Sequence, residues 1–392
     1  MTANSADDLL GTVNPGAADL PKSGIVEIAN YGRHQPGLIP MWFGEGDLTT
    51  PAFIRQAASE ALDAGHTFYT YQGGIPPLRQ AIADYLNRHF DTAVTASRII
   101  VTASGMQAIT LTMQALVGPG DEVVVLSPVW PNIFAAIGLR GATAIPVALD
   151  FSPDGWQLDL DRLFAACGPR TKAIFINSPT NPTGWIIDPE DMLKVRDFAR
   201  QRGLWIVADE VYAKLVYDRP RAESFLTIME PDERLIQVNT FSKNWSMTGW
   251  RVGWMVIPEA LGPLFEKLVQ FNISGTATFL QHAATAAAER GDEAIVELVE
   301  RCRQGRDIVC NRLAELPNVE FATPAGAFYL FFRVAGEADS MALARRLVDQ
   351  ANVGAAPGTA FGDGGAGFVR ICFATSHQTL QTGIDRIAEA LS

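Results

Sequence analysis

From residue 98 onward the chain repeats one pattern. A short, almost wholly apolar run ends at a small or hydroxylated residue, and a helical periodicity comes next. Arg98-Ile-Ile-Val-Thr102 ends at Ser104-Gly105, before a helix expected over 106–117. Gly118-Pro-Gly120 breaks that helix, and Glu122-Val-Val-Val-Leu126 is the next strand. Further strands are predicted at 143–148, 172–177, 204–208, 235–239 and 251–257, with helices at 131–139, 159–166, 188–202 and 259–270. Strands that are apolar on both faces must be covered on both faces. The pattern therefore predicts an α/β fold whose large domain holds a mostly parallel sheet between two layers of helices.

After 278 the pattern changes. Long helices are expected over 278–289 and 292–315, the second bridging to another unit. Strands at 318–322, 327–333 and 367–373 then alternate with helices at 339–350 and 377–391. Toward the other end, residues 1–23 are rich in Ala, Gly, Asp and Pro and read as a mobile arm able to pack on a partner subunit. An extended segment spans 38–50, and Thr50-Pro51 opens a helix with Ile54, Ala58, Ala61 and Leu62 inward. The next helix places Leu78, Ile82, Tyr85 and Leu86 inward. The expected division is an arm and part of a smaller α+β domain at 1–48, the large domain at 49–285, and the rest of the smaller domain at 286–392.

Composition narrows the partners. With 392 residues, 19% charged and a formal net charge of −12, the chain is an ordinary globular one, poorly suited to nucleic acid or an anionic membrane surface. Any anion site must be local. Cys167, Cys302, Cys310 and Cys372 lack Cys-x-x-Cys spacing and read as free thiols of a reducing compartment, so a cytoplasmic location is expected. The five histidines are scattered, which argues against a metal site. No leader pattern and no bilayer-length apolar run is visible.

Several chemistry-bearing residues fall at predicted strand ends, where open α/β sheets bind ligands. Ser104-Gly105-Met106 lies where a helix N-terminus favours an anion, although taken alone Ser104 reads better as an ordinary cap. Trp130 could stack on a flat ring or sit in the core. Asn181, in Asn177-Ser-Pro-Thr-Asn-Pro-Thr-Gly184, could donate to a ring hydroxyl or merely shape a turn. Asp209, at the end of a buried strand beside Glu210 and Tyr212, needs a partner such as a protonated ring nitrogen, or else caps a helix. Arg370, inside Phe368-Val-Arg-Ile-Cys-Phe373, needs an anion, either an internal carboxylate or that of a substrate. Most specific is Thr240-Phe-Ser-Lys-Asn-Trp-Ser-Met-Thr-Gly-Trp-Arg-Val-Gly253. A desolvated Lys243 suits Schiff-base chemistry, and Thr240, Ser242 and Arg251 can hold a phosphate, a pairing that suggests pyridoxal phosphate.

Together with Gly44-Glu-Gly-Asp-Leu-Thr-Thr-Pro51, Tyr69, Gly74-Ile-Pro-Pro-Leu-Arg79 and Ser127-Pro-Val-Trp130, these runs resemble the fold-type I pyridoxal-phosphate enzymes. Within them they resemble the class I/II aminotransferases related to aspartate aminotransferase, over roughly residues 40 to 375. The resemblance implies pyridoxal 5'-phosphate as cofactor and transfer of an amino group from an L-amino acid to a 2-oxo acid by a ping-pong route. It implies that Lys243 forms the Schiff base and moves the proton, Asp209 pairs with the pyridine nitrogen, and Tyr212 and Asn181 hold the phenolic oxygen. Trp130 would stack on the ring. Ser104, Gly105, Met106, Thr240, Ser242 and Arg251 would bind the phosphate, joined by Tyr69 of a neighbouring subunit in a homodimer. Arg370 would clamp the substrate carboxylate, with Asn181, Trp130 and Gly44 beside it.

Two departures bear on the substrate. Met106 stands where aspartate-preferring members carry a lysine, so the donor is expected to be neutral or apolar unless a partner subunit supplies a cation; Trp42 and Phe43 fit such a pocket. Gly46 stands where proline is usual, which would loosen the loop near the substrate. The same lysine core also serves β-elimination (C–S) lyases. A non-enzymatic effector-sensing domain is a further alternative, disfavoured by the short segment before residue 24 and by the acidic charge.

Overall fold

The computed structural model describes residue 9 and residues 11–392, so residues 1–8 and 10 of the expected arm lie outside the described residues. Residues 11–23 are largely exposed and hold one helical turn, Pro15–Ala18.

The repeated apolar runs form a seven-stranded sheet. Its strands are β1 (Ile99–Thr102), β2 (Glu122–Ser127), β3 (Thr143–Ala148), β4 (Thr171–Asn177), β5 (Trp205–Asp209), β6 (Leu235–Thr240) and β7 (Gly253–Val256), in the order β1-β7-β6-β5-β4-β2-β3. Neighbours from β3 across to β6 pair in parallel, and β7 runs antiparallel to both β6 and β1. The segment joining β6 to β7 carries only short turns and no crossover helix, so the chain comes straight back. Alternate residues feed opposite layers. Ile99 and Val101 pack with Ile54, Leu78 and Ala283, whereas Ile100 packs with Ile109, Ile133 and Phe265. The sheet is thus covered on both faces, as the near-continuous apolar runs require.

A second core gathers the two chain ends. Its antiparallel sheet, β8 (Val319–Phe321), β9 (Tyr329–Val334), β10 (Ala356–Pro357) and β11 (Phe368–Cys372), runs in the order β8-β9-β11-β10. Ile28 from α1 (Gly24–Gly32), Met41 and Trp42 are buried in it beside the helix His377–Leu391. Ile39–Pro40 pairs in parallel with Val353–Gly354. A Cβ on Gly354 would fall 2.0 Å from the Trp42 ring, so only glycine admits that indole. The long helix Asp292–Ala314 joins the cores, with Ile295 in the first and Leu298 to Leu313 in the second.

Some local expectations are corrected. Leu62 is exposed, because Ile54, Ala58 and Ala61 already fill the inward stripe of their helix. The strand expected at 251–257 shrinks to Gly253–Val256, since Arg251 adopts the left-handed region at φ 55°. The helix expected at 259–270 starts as a 3-10 turn and becomes α-helical only at Gly262–Ile273. Helix α1 and the hairpin of Asp150–Ser152 with Gly155–Gln157 are not among the expected elements; all three segments are short, nine, three and three residues.

Candidate active site

A cavity of about 420 Å³ opens at the carboxyl ends of the parallel strands, between the large sheet and the second core. Each strand end delivers the residues at or just beyond its last position: Gly105 and Met106 after β1, Trp130 after β2, Asn177 and Asn181 at β4, Asp209 and Tyr212 at β5, and Thr240, Ser242 and Lys243 at β6. From the second core come Tyr329 and Arg370, and from the N-terminal segment Ile25, Trp42, Phe43, Gly44 and Glu45.

One wall is shaped for an anion. Ser104 caps the helix Gly105–Leu116 by accepting from the Gln107 N–H at 3.0 Å, and it does not line the cavity. Its part is to fix the helix end at which Gly105 and Met106 present their N–H groups, and the helix dipole adds positive potential there. Thr240 Oγ1 accepts from the Ser242 N–H at 3.2 Å and lies 3.0 Å from Ser242 Oγ, which brings both hydroxyls to the same corner. Arg251 completes it, held by donation from Nη1 to the Thr248 carbonyl at 2.7 Å. Among the described residues no carboxylate pairs with Arg251. Gly253 lets the wall close up, since a Cβ there would lie 2.6 Å from the Gly105 nitrogen.

The lysine stands across from a buried acid. Lys243 sits on the turn Phe241–Asn244, which Thr240 caps directly after β6. Its Nζ donates to the Gly44 carbonyl at 2.7 Å and lies 5.6 Å from the Tyr212 ring centre and 5.7 Å from that of Phe328. Desolvation brings its pKa down to about 8, so a neutral amine is accessible near neutral pH. Asp209 is 4% exposed and has no cation within ion-pair distance among the described residues; its carboxylate accepts only a long 3.4 Å bond from the Val211 N–H. Burial pushes its pKa up to about 7, the Val211 bond and Lys243 opposing weakly. Its charged form lacks the cationic partner that so buried a carboxylate requires. Glu210 points the other way, into Ser224, the Phe225 N–H and Gln237.

On the far side, Arg370 is 2% exposed, with its guanidinium 4.4 Å from the Tyr329 ring centre and 4.8 Å from that of Phe361. Nη1 donates to Asn181 Oδ1 at 2.9 Å, Nη2 donates to the Trp42 carbonyl, and Nε is unpaired. No carboxylate neutralises it among the described residues. Asn177 braces the corner, donating to the Asp209 carbonyl and accepting from the Asn181 N–H. The remaining wall is apolar: Ile25, Phe43, Met106, Ile109 and Trp130.

Of the residues singled out in the sequence, Ser104 and Tyr69 lie outside this lining. Tyr69 is 92% exposed, on the surface with Phe68, Tyr71 and Phe271. The loop around Gly46 is not loose. Asp47 pairs with Arg301 and accepts from the Ser376 N–H at 2.8 Å, and a Cβ on Gly46 would meet the Ala374 carbonyl at 2.6 Å. Sequence reasoning missed Tyr329, Asn177 as a brace, Glu45, and Ile25. For Tyr329 the signal was a hydroxyl opening the apolar run Tyr-Leu-Phe-Phe332; for Ile25 it was the helical spacing of Ile25, Ile28 and Ala29 after the Ser23 cap, which marks a helix but not a cavity.

The sequence model described as aminotransferase class I and II matches residues 39–387. The chain is 33% identical over 390 residues to aromatic-amino-acid aminotransferase 2 of Thermococcus litoralis, covering 98% of this chain and 97% of that protein. It is likewise 33% identical over 390 residues to an aspartate aminotransferase of Pyrococcus abyssi, with the same coverage. The solved structure of aspartate aminotransferase from Thermotoga maritima superposes with a TM-score of 0.90 at 34% identity, covering 96% of this chain and 99% of that one.

Proposed function

This chain belongs to the class I and II aminotransferases, pyridoxal-phosphate-dependent transaminases, and we propose that its donors are neutral or apolar L-amino acids. The observation that supports the site assignment is the pairing, across one cavity, of a partnerless buried Asp209 with a Lys243 whose proton is loosely held. Asp209 would hold positive charge on the pyridine nitrogen. Gly105, Met106, Thr240, Ser242 and Arg251 would hold the phosphate, Trp130 would cover the ring, and Tyr212 and Asn181 would donate to its phenolic oxygen. The bound cofactor supplies an electron sink. Lys243 Nζ would anchor it and carry the proton taken from the donor Cα, and Arg370 would grip the donor carboxylate with its planar fork.

The side-chain preference rests on the groups left over. Once Lys243, Arg251 and Arg370 are assigned, no cation among the lining residues remains for a distal carboxylate, and Glu45 would repel one. Met106, Ile25, Phe43 and Ile109 offer apolar surface instead. A homodimer in which Tyr69 reaches the neighbour's phosphate corner fits that residue's exposure and its absence from its own cavity. Four unpaired cysteines suit a reducing, cytoplasmic setting.

The test is a panel of amino acids added, without a 2-oxo acid, to protein carrying the cofactor. Loss of the lysine-bound visible band with phenylalanine, leucine or methionine, and much less with aspartate, is expected. Aspartate converting fastest would overturn the preference. Release of ammonia with the band restored would mean a lyase.

A further inference from the structure

Tyr329 belongs to none of the roles assigned above, yet it touches three of them. Its hydroxyl lies 2.8 Å from that of Tyr212, both side chains being buried, and the two rings meet edge to face at 85°. Its ring lies under the Arg370 guanidinium at 4.4 Å. A Cβ on Gly44 would fall 2.2 Å from its oxygen, so the backbone whose carbonyl holds Lys243 Nζ is glycine where the Tyr329 hydroxyl sits.

Two hydroxyls in contact share one proton bridge, and the second proton must find another acceptor. Neither hydroxyl has another hydrogen-bond partner among the described residues, and both side chains line the cavity. The direction of the bridge decides what Tyr212 can do. If Tyr212 donates to Tyr329, its own proton is spent. If Tyr329 donates to Tyr212, the Tyr212 proton is free to point into the cavity, and a phenol that accepts a hydrogen bond is itself a stronger donor. The Arg370 charge over the Tyr329 ring favours Tyr329 as the donor.

The geometry points to Tyr329 as a positioning residue that, by donating to Tyr212, aims and strengthens the Tyr212 hydrogen bond to the cofactor's phenolic oxygen. This rests on the assignment of Lys243 and Tyr212 to the cofactor. The bond stabilises the deprotonated form of the lysine-bound cofactor, so the relay lowers the pH at which its visible absorption titrates.

The experiment is that titration on resting, substrate-free protein. Tyr329→Phe should raise the midpoint by about half a pH unit, the scale of one modest hydrogen bond felt at one remove, and Tyr212→Phe should raise it further. Gly44→Ala displaces the same hydroxyl from outside and should also raise the midpoint, which covers the case in which Tyr329→Phe does not accumulate. Because Tyr329 acts through Tyr212, the double variant should titrate no higher than Tyr212→Phe alone. An unchanged or lowered midpoint in Tyr329→Phe, or additive shifts in the double variant, would overturn the relay. A wild type that shows no titrating band with added pyridoxal phosphate would instead defeat the cofactor assignment itself.

Discussion

Arg370 Nη1 donates to Asn181 Oδ1 at 2.9 Å, tying a strand of the small sheet to the turn that follows a strand of the large one. The bond occupies the Asn181 carbonyl and leaves its amide nitrogen free for the cavity. It also fixes the guanidinium plane. Arg370→Lys keeps the charge but cannot hold Asn181 and grip a carboxylate with two parallel bonds. Steady-state kinetics should show KM for every donor raised about 10- to 100-fold, since one charged hydrogen bond contributes about 1.5–3 kcal/mol. Unchanged KM across the panel would contradict the clamp.

Met106 lines the cavity at the first turn of its helix, where the wall is otherwise apolar. Met106→Lys adds a cation reaching into that space. The ratio of kcat/KM for aspartate to that for phenylalanine should rise by about tenfold or more, the scale of one charge-assisted contact. No change in the ratio would mean that the distal group lies elsewhere.

Asp209 has a folded-state pKa of about 7, against an ordinary carboxylate value of 3.8, because burial penalises its charge. A raised pKa means that the folded chain binds the proton more tightly. That contribution is complete below about pH 4 and is lost as pH rises through 7, where the buried charge costs up to about 4 kcal/mol. Asp209→Asn should therefore stabilise the cofactor-free protein at pH 8, with a gain that shrinks by more than half at pH 5. Urea midpoints at the two pH values check this. The same variant should bind the cofactor poorly, so stability and function move in opposite directions.

Gly253 faces the helix end across a gap that no side chain fits, with Gly105 N and the Ser104 carbonyl carbon each 2.6 Å from where a Cβ would stand. Gly253→Ala should push the phosphate corner open and weaken pyridoxal phosphate binding at least about tenfold, equivalent to about 1.4 kcal/mol. Equilibrium titration of the visible band measures it, and an affinity equal to wild type would show that the corner does not carry the phosphate.

The large sheet was legible because its burial on two faces writes itself as unbroken apolar runs, and the strand ends then marked Asp209, Asn181 and Lys243 for the space they face. Where an element is held by tertiary contacts instead, the sequence carried little. Helix α1 is only nine residues long, and nothing in its run of apolar residues says which of them faces a cavity built by distant strands, so Ile25 could not be placed there. Tyr329 opens a strand as any aromatic residue does, and its hydroxyl matters only through Tyr212, 117 residues away. Leu62 failed for the opposite reason: helical periodicity marks a stripe but not how wide the stripe must be. Gly46 was misjudged because the reach of Asp47 to Arg301 and Ser376 lies outside any local pattern.

The bond from Arg370 to the Trp42 carbonyl spans 328 residues. Synthesis adds about 5–20 residues each second, so on the order of 15 to 65 seconds pass between the emergence of Trp42 and that of its partner. The parallel sheet can form meanwhile, whereas Trp42 gains its contact with Gly354 and its bond from Arg370 only after those late residues leave the ribosome. Its indole, 3% exposed in the folded chain, is therefore uncovered for most of translation, and the cavity's N-terminal wall is completed last.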